Sequence, residues 1–80
     1  MYINVTMKQN NAQVDIRIDA EQPIAEGLNI VINAGKLPPL AVKPDYFRSY
    51  IRNTLVSAYK TFTQEAIYDG DILEAVTPHE

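Results

Sequence analysis

Cysteine and tryptophan are absent from this sequence, and histidine and glycine are rare: its 80 residues include one His and three Gly. Without cysteine the chain can form no disulfide bond, thiolate metal site or cysteine nucleophile. The one histidine, His79, lies in the polar end of the chain, where a nucleophile would have no positioned base beside it. Gly27, Gly35 and Gly70 are too far apart to form a phosphate-binding loop. We therefore expect a protein that is not an enzyme and that carries no metal or cofactor.

Long apolar runs and an excess of basic residues are absent too. No segment approaches the roughly 20 apolar residues that a membrane-spanning helix needs, and no basic region leads into an apolar run at the N-terminus. Seven Lys and Arg stand against ten Asp and Glu, for a net charge of −3, whereas nucleic-acid-binding domains usually carry a basic stripe. The expected protein is cytoplasmic, with no direct membrane insertion and no nucleic-acid partner.

The first part of the chain predicts a β-hairpin and a helix. Apolar and polar residues alternate over residues 1–7 and again over 14–19, as in half-buried strands, and the polar run 8–11 predicts a turn of more than two residues. Pro23 suits a helix start and Gly35 a helix end. Gly27 inside the helix predicts a close approach to the sheet. One apolar stripe lies at helical spacing: Ile24, Leu28, Val31 and Ile32.

The second part of the chain predicts three further strands. Three prolines in residues 37–45 exclude a regular helix or ladder, which leaves an ordered connection or a mobile loop. Residues 46–52 alternate as a third strand, residues 55–59 form a short edge strand, and Phe62 fills the space under a connecting turn. Residues 69–71 read as a tight turn rather than a cation site, because Asp-Gly is what such a turn demands. The final strand, residues 72–76, should lie inside the sheet.

These elements assemble into an α+β protein with the order β-β-α-β-β-β. We predict a β-grasp fold in which a mixed five-stranded sheet of order 2-1-5-3-4 carries one helix on one face. Residues 1–76 form the domain, and residues 77–80 form a polar C-terminal tail. The predicted core comprises Ile3, Val5, Val14, Ile16, Ile18, Ile24, Leu28, Ile32, Phe47, Ile51, Phe62, Ile67 and Leu73.

The sheet face away from the helix is the candidate site. Tyr and Arg are enriched at the energetic centres of protein interfaces, and the third strand should project both types beside residues of the final strand. The alternative is plain surface packing, with Arg48 or Arg52 paired to Glu74. The candidate surface consists of Tyr46, Arg48, Tyr50, Arg52, Ile72, Glu74 and Val76.

Four segments carry a resemblance to ubiquitin-like proteins: Met1-x-Ile3-x-Val5, the Val14/Ile16/Ile18 strand, Pro23-Ile24, and Ile67-x-Asp69-Gly70-Asp71-Ile72-Leu73. Within that superfamily, residues 1–76 look most like the YukD/EsaB family, small proteins that accompany type VII secretion systems of Gram-positive bacteria. The resemblance implies a non-catalytic, cytosolic accessory or regulatory component. It also implies protein partners, among them the membrane secretion ATPase or other type VII subunits, docked on the exposed sheet face.

The sequence departs from ubiquitin at its end. Conjugated ubiquitins and sulfur carriers end in Gly-Gly, whereas this sequence ends Val-Thr-Pro-His-Glu and contains no Gly-Gly. We therefore do not expect a conjugated modifier or a sulfur carrier. The alternative function is a ubiquitin-like structural module of an unrelated pathway, which forms homo-oligomers through the sheet face or the edge strand at residues 55–59.

Overall fold

The computed structural model describes residues 1–76. The predicted tail of residues 77–80, which contains His79, lies outside this range. The order of elements matches the predicted β-β-α-β-β-β. The elements are β1 (Tyr2–Gln9), β2 (Ala12–Asp19), α1 (Ile24–Asn33), β3 (Tyr46–Ser49), β4 (Thr54–Ser57) and β5 (Ile72–Val76).

The five strands form one mixed sheet in the order β2-β1-β5-β3-β4, as the sequence predicts. Strand β5 lies at its centre, parallel to β1 and antiparallel to β3. Gly70 (φ 88°) forms the turn before β5 and donates its N–H to the Asn4 carbonyl at 2.8 Å, and the Asp69 carboxylate accepts the Asn4 N–H at 2.6 Å. The turn thereby sets the register in which the last strand enters the sheet.

The first hairpin is tighter than predicted. Lys8 and Gln9 belong to β1, where they pair with Gln13 and Ala12, so the turn is a two-residue connection rather than a longer one. Asn10 has φ 54°, a left-handed conformation that Asn tolerates better than most residues. Gln9 is buried and donates its side-chain N–H to the Pro38 carbonyl at 2.8 Å. The polar composition of residues 8–11 hid this extension of the strand.

Helix α1 covers one face of the sheet. Pro23 lies just before the helix rather than in its first turn, and the C-terminus closes on Gly35 (φ 74°), whose N–H donates to the Ile32 carbonyl while the next N–H reaches Val31. The predicted close approach is confirmed at Gly27. A Cβ there would stand 3.3 Å from Phe62 Cζ and 3.4 Å from both Ile16 Cδ1 and Met7 Sδ.

The core agrees with most of the predicted set and corrects the rest of it. Val14, Ile16 and Ile32 are half-buried rather than buried. The first two lie on an edge strand, and the third lines an open depression between α1 and residues 38–44. The prediction that Ile51 belongs to the core is wrong: its side chain is 66% exposed in the turn after β3. The core prediction also omitted several apolar residues of the buried cluster: Met7, Ala20, Val31, Leu37, Val56 and Ala58.

The strands of the second half are shorter than predicted. Strand β3 ends at Ser49 rather than residue 52, and β4 spans Thr54–Ser57 rather than residues 55–59. Strand β4 is an edge strand, as predicted. Phe62 is fully buried under the connection from β4 to β5, also as predicted.

The proline-rich segment of residues 38–44 contains no regular element, as its composition predicts. Its neighbour Leu37 and its last proline, Pro44, are buried. An apolar depression of about 250 Å³ remains between this segment and α1. Among the described residues, no helix is long and apolar enough to cross a membrane.

Candidate protein-binding surface

The outer face of the sheet, opposite α1, brings the ends of three strands together. The register pairs Tyr46 of β3 with Val76 of β5 and Arg48 with Glu74. The N–H of Tyr50 donates to the Ile72 carbonyl at 3.0 Å, which places the turn residue Tyr50 beside the start of β5. Six of the seven candidate residues therefore lie in three neighbouring pairs: Tyr46 with Val76, Arg48 with Glu74, and Tyr50 with Ile72.

Tyr50 is the centre of a polar chain across this surface. Its hydroxyl accepts a hydrogen bond from Lys8 Nζ at 3.1 Å and donates one to Glu74 Oε1 at 3.0 Å. The Lys8 ammonium also lies 5.4 Å from the centre of the Tyr50 ring, within cation–π range. The surface thus holds its tyrosine in place in the absence of a partner.

Lys8 is a surface residue that the sequence reasoning missed. It lies on β1 directly opposite Glu74 of β5 in the parallel register. The hydrogen bond with Tyr50, and secondarily the charge of Glu74, raise the pKa of Lys8 above its ordinary value. Extending the alternation of residues 1–7 by one residue would have placed Lys8 on this face.

Arg52 departs from its predicted place on the surface, and the alternative, an ion pair of Arg48 or Arg52 with Glu74, is not found within residues 1–76. The Arg52 guanidinium donates to the Glu65 carbonyl at 2.8 Å, beyond the end of β3, rather than contacting Glu74. Within residues 1–76 the one ion pair joins the α-amino group to Asp19 at 3.3 Å. Glu74 is instead engaged by the Tyr50 hydroxyl. Arg48 lies opposite Glu74 in the register but forms no ion pair with it, and its side chain is exposed.

Apolar groups border the charged ones. Tyr46 and Leu55 are each 52% exposed, and Leu55 of β4 lies opposite Arg48. Ile72 and Val76 are half-buried on the same face. The sequence predicts Leu55 on the edge strand but not on this surface, because the register of β4 cannot be inferred from four residues.

The buried carboxylate of Asp71 supports the backbone of the candidate surface. Asp71 is 2% exposed, and its carboxylate accepts hydrogen bonds from Ser49 Oγ at 2.6 Å and from the Ile51 N–H at 3.2 Å. It also caps the Ile72 N–H at 2.7 Å. Because these donors lie at the end of β3 and the start of β5, the Asp71 carboxylate fixes the turn that carries Tyr50. A buried carboxylate with several donors is a satisfied structural group.

Solved structures resemble this chain along its whole length. A ubiquitin-like domain of EccD5 from Mycobacterium xenopi has a TM-score of 0.61 at 20% identity, covering 100% of this chain and 98% of that one. The ubiquitin of Caldiarchaeum subterraneum has a TM-score of 0.60 at 14% identity, with 100% of each chain covered. A chain of the MycP5-free ESX-5 inner membrane complex has a TM-score of 0.53 at 19% identity, covering 99% of this chain and 22% of that one. No protein-family model matches the sequence, and no curated protein matches it.

At these identities the likeness concerns the fold. The sheet order, the one helix within residues 1–76 and the full coverage of the Caldiarchaeum subterraneum ubiquitin show a ubiquitin-like β-grasp fold, as the sequence predicts.

Proposed function

We propose that this ubiquitin-like domain is a non-catalytic accessory or regulatory component of a type VII secretion system of the YukD/EsaB kind. It acts in the cytoplasm of a Gram-positive bacterium. Its partners are the membrane secretion ATPase or other subunits of the machine. The similarity to the EccD5 domain and to a chain of the ESX-5 complex supports this assignment.

The observation that carries the docking role is the composition and order of the outer face. Exposed Tyr46 and Tyr50 stand beside the exposed guanidinium-bearing Arg48 and the half-buried Ile72 and Val76. Tyrosine and arginine dominate binding energies at interfaces, and a preformed surface loses little side-chain entropy on association. The bond from Tyr50 to Glu74 provides that order. The proposed contact surface is therefore the outer face of the neighbouring strands β1, β5, β3 and β4.

Co-purification of the secretion ATPase with a tagged form of the chain tests the proposal. The variant Tyr50→Ala/Val76→Ala should keep the fold, because both side chains lie on the outer face, and should reduce the recovered ATPase at least about tenfold. A matched control is Tyr68→Ala/Val42→Ala, which removes the same side chains from sites 67% and 58% exposed outside the surface.

The control variant should recover as much ATPase as the unaltered chain, with circular dichroism to verify folding of both variants. Equal recovery with the two double variants would refute docking through this face. Failure of the unaltered chain to recover any type VII subunit would refute the secretion assignment itself.

A further inference from the structure

Strand β2 is a long open edge of the sheet. It spans eight residues, twice the four of the other edge strand, β4. The Ala20 N–H donates to the Met1 carbonyl at 2.7 Å, across the β1–β2 pair. Since hydrogen-bonding direction alternates along an antiparallel strand, the even-numbered residues of β2 turn their backbone groups to β1. Gln13, Asp15 and Arg17 therefore turn their N–H and C=O groups to the open side.

The sequence of this edge is complementary to itself. Around Ile16, the strand reads Val-Asp-Ile-Arg-Ile, apolar at both ends and opposite in charge on the two sides. Antiparallel pairing of two copies about Ile16 places each Asp15 directly opposite the partner copy's Arg17. Moving the centre of pairing one residue toward the N-terminus places Asp15 opposite Asp15 of the second copy. Moving it one residue toward the C-terminus places Arg17 opposite Arg17 of the second copy. Like charges directly opposite are destabilising, so the charges select one register.

Apolar side chains on the helix side of the same edge are incompletely covered. Val14 and Ile16 are half-buried, although they belong to the core face of the strand. Ile30 of α1 is 45% exposed, whereas its neighbour in sequence Val31 is 1% exposed. A second copy paired along β2 would continue the sheet and bring its own Val14 and Ile16 against this uncovered strip.

The charged groups on the outer side contact β1 in the single chain and keep hydrogen-bonding capacity for a partner. Asp15 accepts a hydrogen bond from Thr6 at 2.6 Å through one carboxylate oxygen, which leaves the other oxygen for a partner. The Arg17 guanidinium lies 5.6 Å from the centre of the Tyr2 ring. The other edge is less suited, because the Glu65 carboxylate accepts the N–H of Ser57 on β4.

We propose that two copies of this chain form a symmetric dimer by antiparallel pairing of β2, with Ile16 facing Ile16 across the two-fold axis and Asp15 facing Arg17 on both sides. The dimer joins the two sheets into one of ten strands. The candidate surface on β3 and β5 remains open in each copy, because β1 separates β2 from β5.

A charge-exchange series tests this register. The variants are Asp15→Arg, Arg17→Asp and the double variant Asp15→Arg/Arg17→Asp, with Lys60→Glu as a control that changes the net charge as Arg17→Asp does. All three substituted sites are exposed, so folding should be retained and is checked by circular dichroism. Sedimentation equilibrium from micromolar to millimolar concentration gives the dimer dissociation constant.

The unaltered chain, the double variant and Lys60→Glu should dimerise alike. Each single variant sets like charges opposite one another at both positions, so its dissociation constant should rise at least about tenfold. An equimolar mixture of the two single variants should recover the dimer, because their pairs are again of opposite charge.

Three results would overturn the proposal: a monomeric unaltered chain over the whole range, single variants that dimerise as well as the parent, or a mixture that stays monomeric while the parent dimerises. None of these results bears on recovery of the secretion ATPase, so the dimer and the docking function fail independently.

Discussion

Leu73 and Leu55 are the same residue type at a buried and at an exposed position of one sheet. Leu73 lies on the central strand and is fully buried, whereas Leu55 lies on the edge strand and is 52% exposed. Leu73→Ala should lower the free energy of unfolding by about 2–5 kcal/mol, because it removes buried methyl groups and leaves a cavity. Leu55→Ala, the matched control, should change it by less than about 0.5 kcal/mol. Urea midpoints of the two variants measure both effects, and equal midpoints would contradict the burial of Leu73.

Lys8 supplies a prediction of pH dependence. Its folded pKa is raised above the ordinary 10.5, chiefly by the hydrogen bond with Tyr50. The stabilising contribution is therefore fully present below pH 10.5 and is lost as the pH rises through the folded pKa. Tyr50→Phe should return the pKa of Lys8 toward 10.5, as measured by NMR titration of the side chain. Tyr46→Phe, on the same surface, should leave it unchanged; an identical fall in both variants would refute the role of Tyr50.

Single residues were the least predictable scale. Ile51 has the apolar character and spacing of a core residue, yet it lies in a turn, where its own backbone N–H donates to the Asp71 carboxylate. That bond depends on a partner 20 residues away, which no local pattern reveals. Lys8 and its bond to Tyr50 depend on the approach of two segments 42 residues apart. Burial of Phe62, by contrast, follows from an apolar residue between two polar ones, and burial of Leu73 follows from the alternation of the final strand.

The helix and sheet meet at Gly27, where the chain gives up helix propensity for proximity. Alanine would favour the helix by about 1 kcal/mol, but its Cβ would press on the buried Phe62 at 3.3 Å. Overpacking of a filled core costs about 1–3 kcal/mol. Gly27→Ala should therefore lower the free energy of unfolding by about 1 kcal/mol.

Thermal and urea unfolding measure the Gly27 effect. Glu26→Ala, one residue earlier and exposed, is the control and should stay within about 0.5 kcal/mol of the parent chain. A stabilised Gly27→Ala variant would show that Phe62 and its neighbours can yield at this contact.

Elements were predictable in kind and order, and less so in length. Period-two alternation identified β1, β2 and β5, and the stripe that contains Leu28 identified α1. The sequence alternates as far as residue 52, but β3 ends at Ser49. The strand ends there because the chain must turn back to form β4, and Asn53 takes φ 52° in that turn. The length of a strand depends on its neighbour as well as on its own pattern.

At the scale of the molecule, protection should follow the sheet order. Strands β1, β5 and β3 have a neighbour on both sides, so their amides should exchange with solvent most slowly. The amides of residues 40–43, between the prolines, donate none of the backbone–backbone hydrogen bonds found within residues 1–76 and should exchange fastest. Hydrogen exchange measured by NMR tests this order. Slow exchange of the amides of residues 40–43, comparable with that of β5, would contradict it.

Placing the last strand between the first and the third has a consequence for how the protein is made. The two hairpins, β1–β2 and β3–β4, share no edge, and β5 is the strand that joins them. A growing polypeptide on the ribosome therefore cannot close its sheet until residues 72–76 have been translated and have left the exit tunnel. The native sheet closes only after that point, and a chain released before residues 72–76 are made would leave two unjoined halves for the cell's quality control.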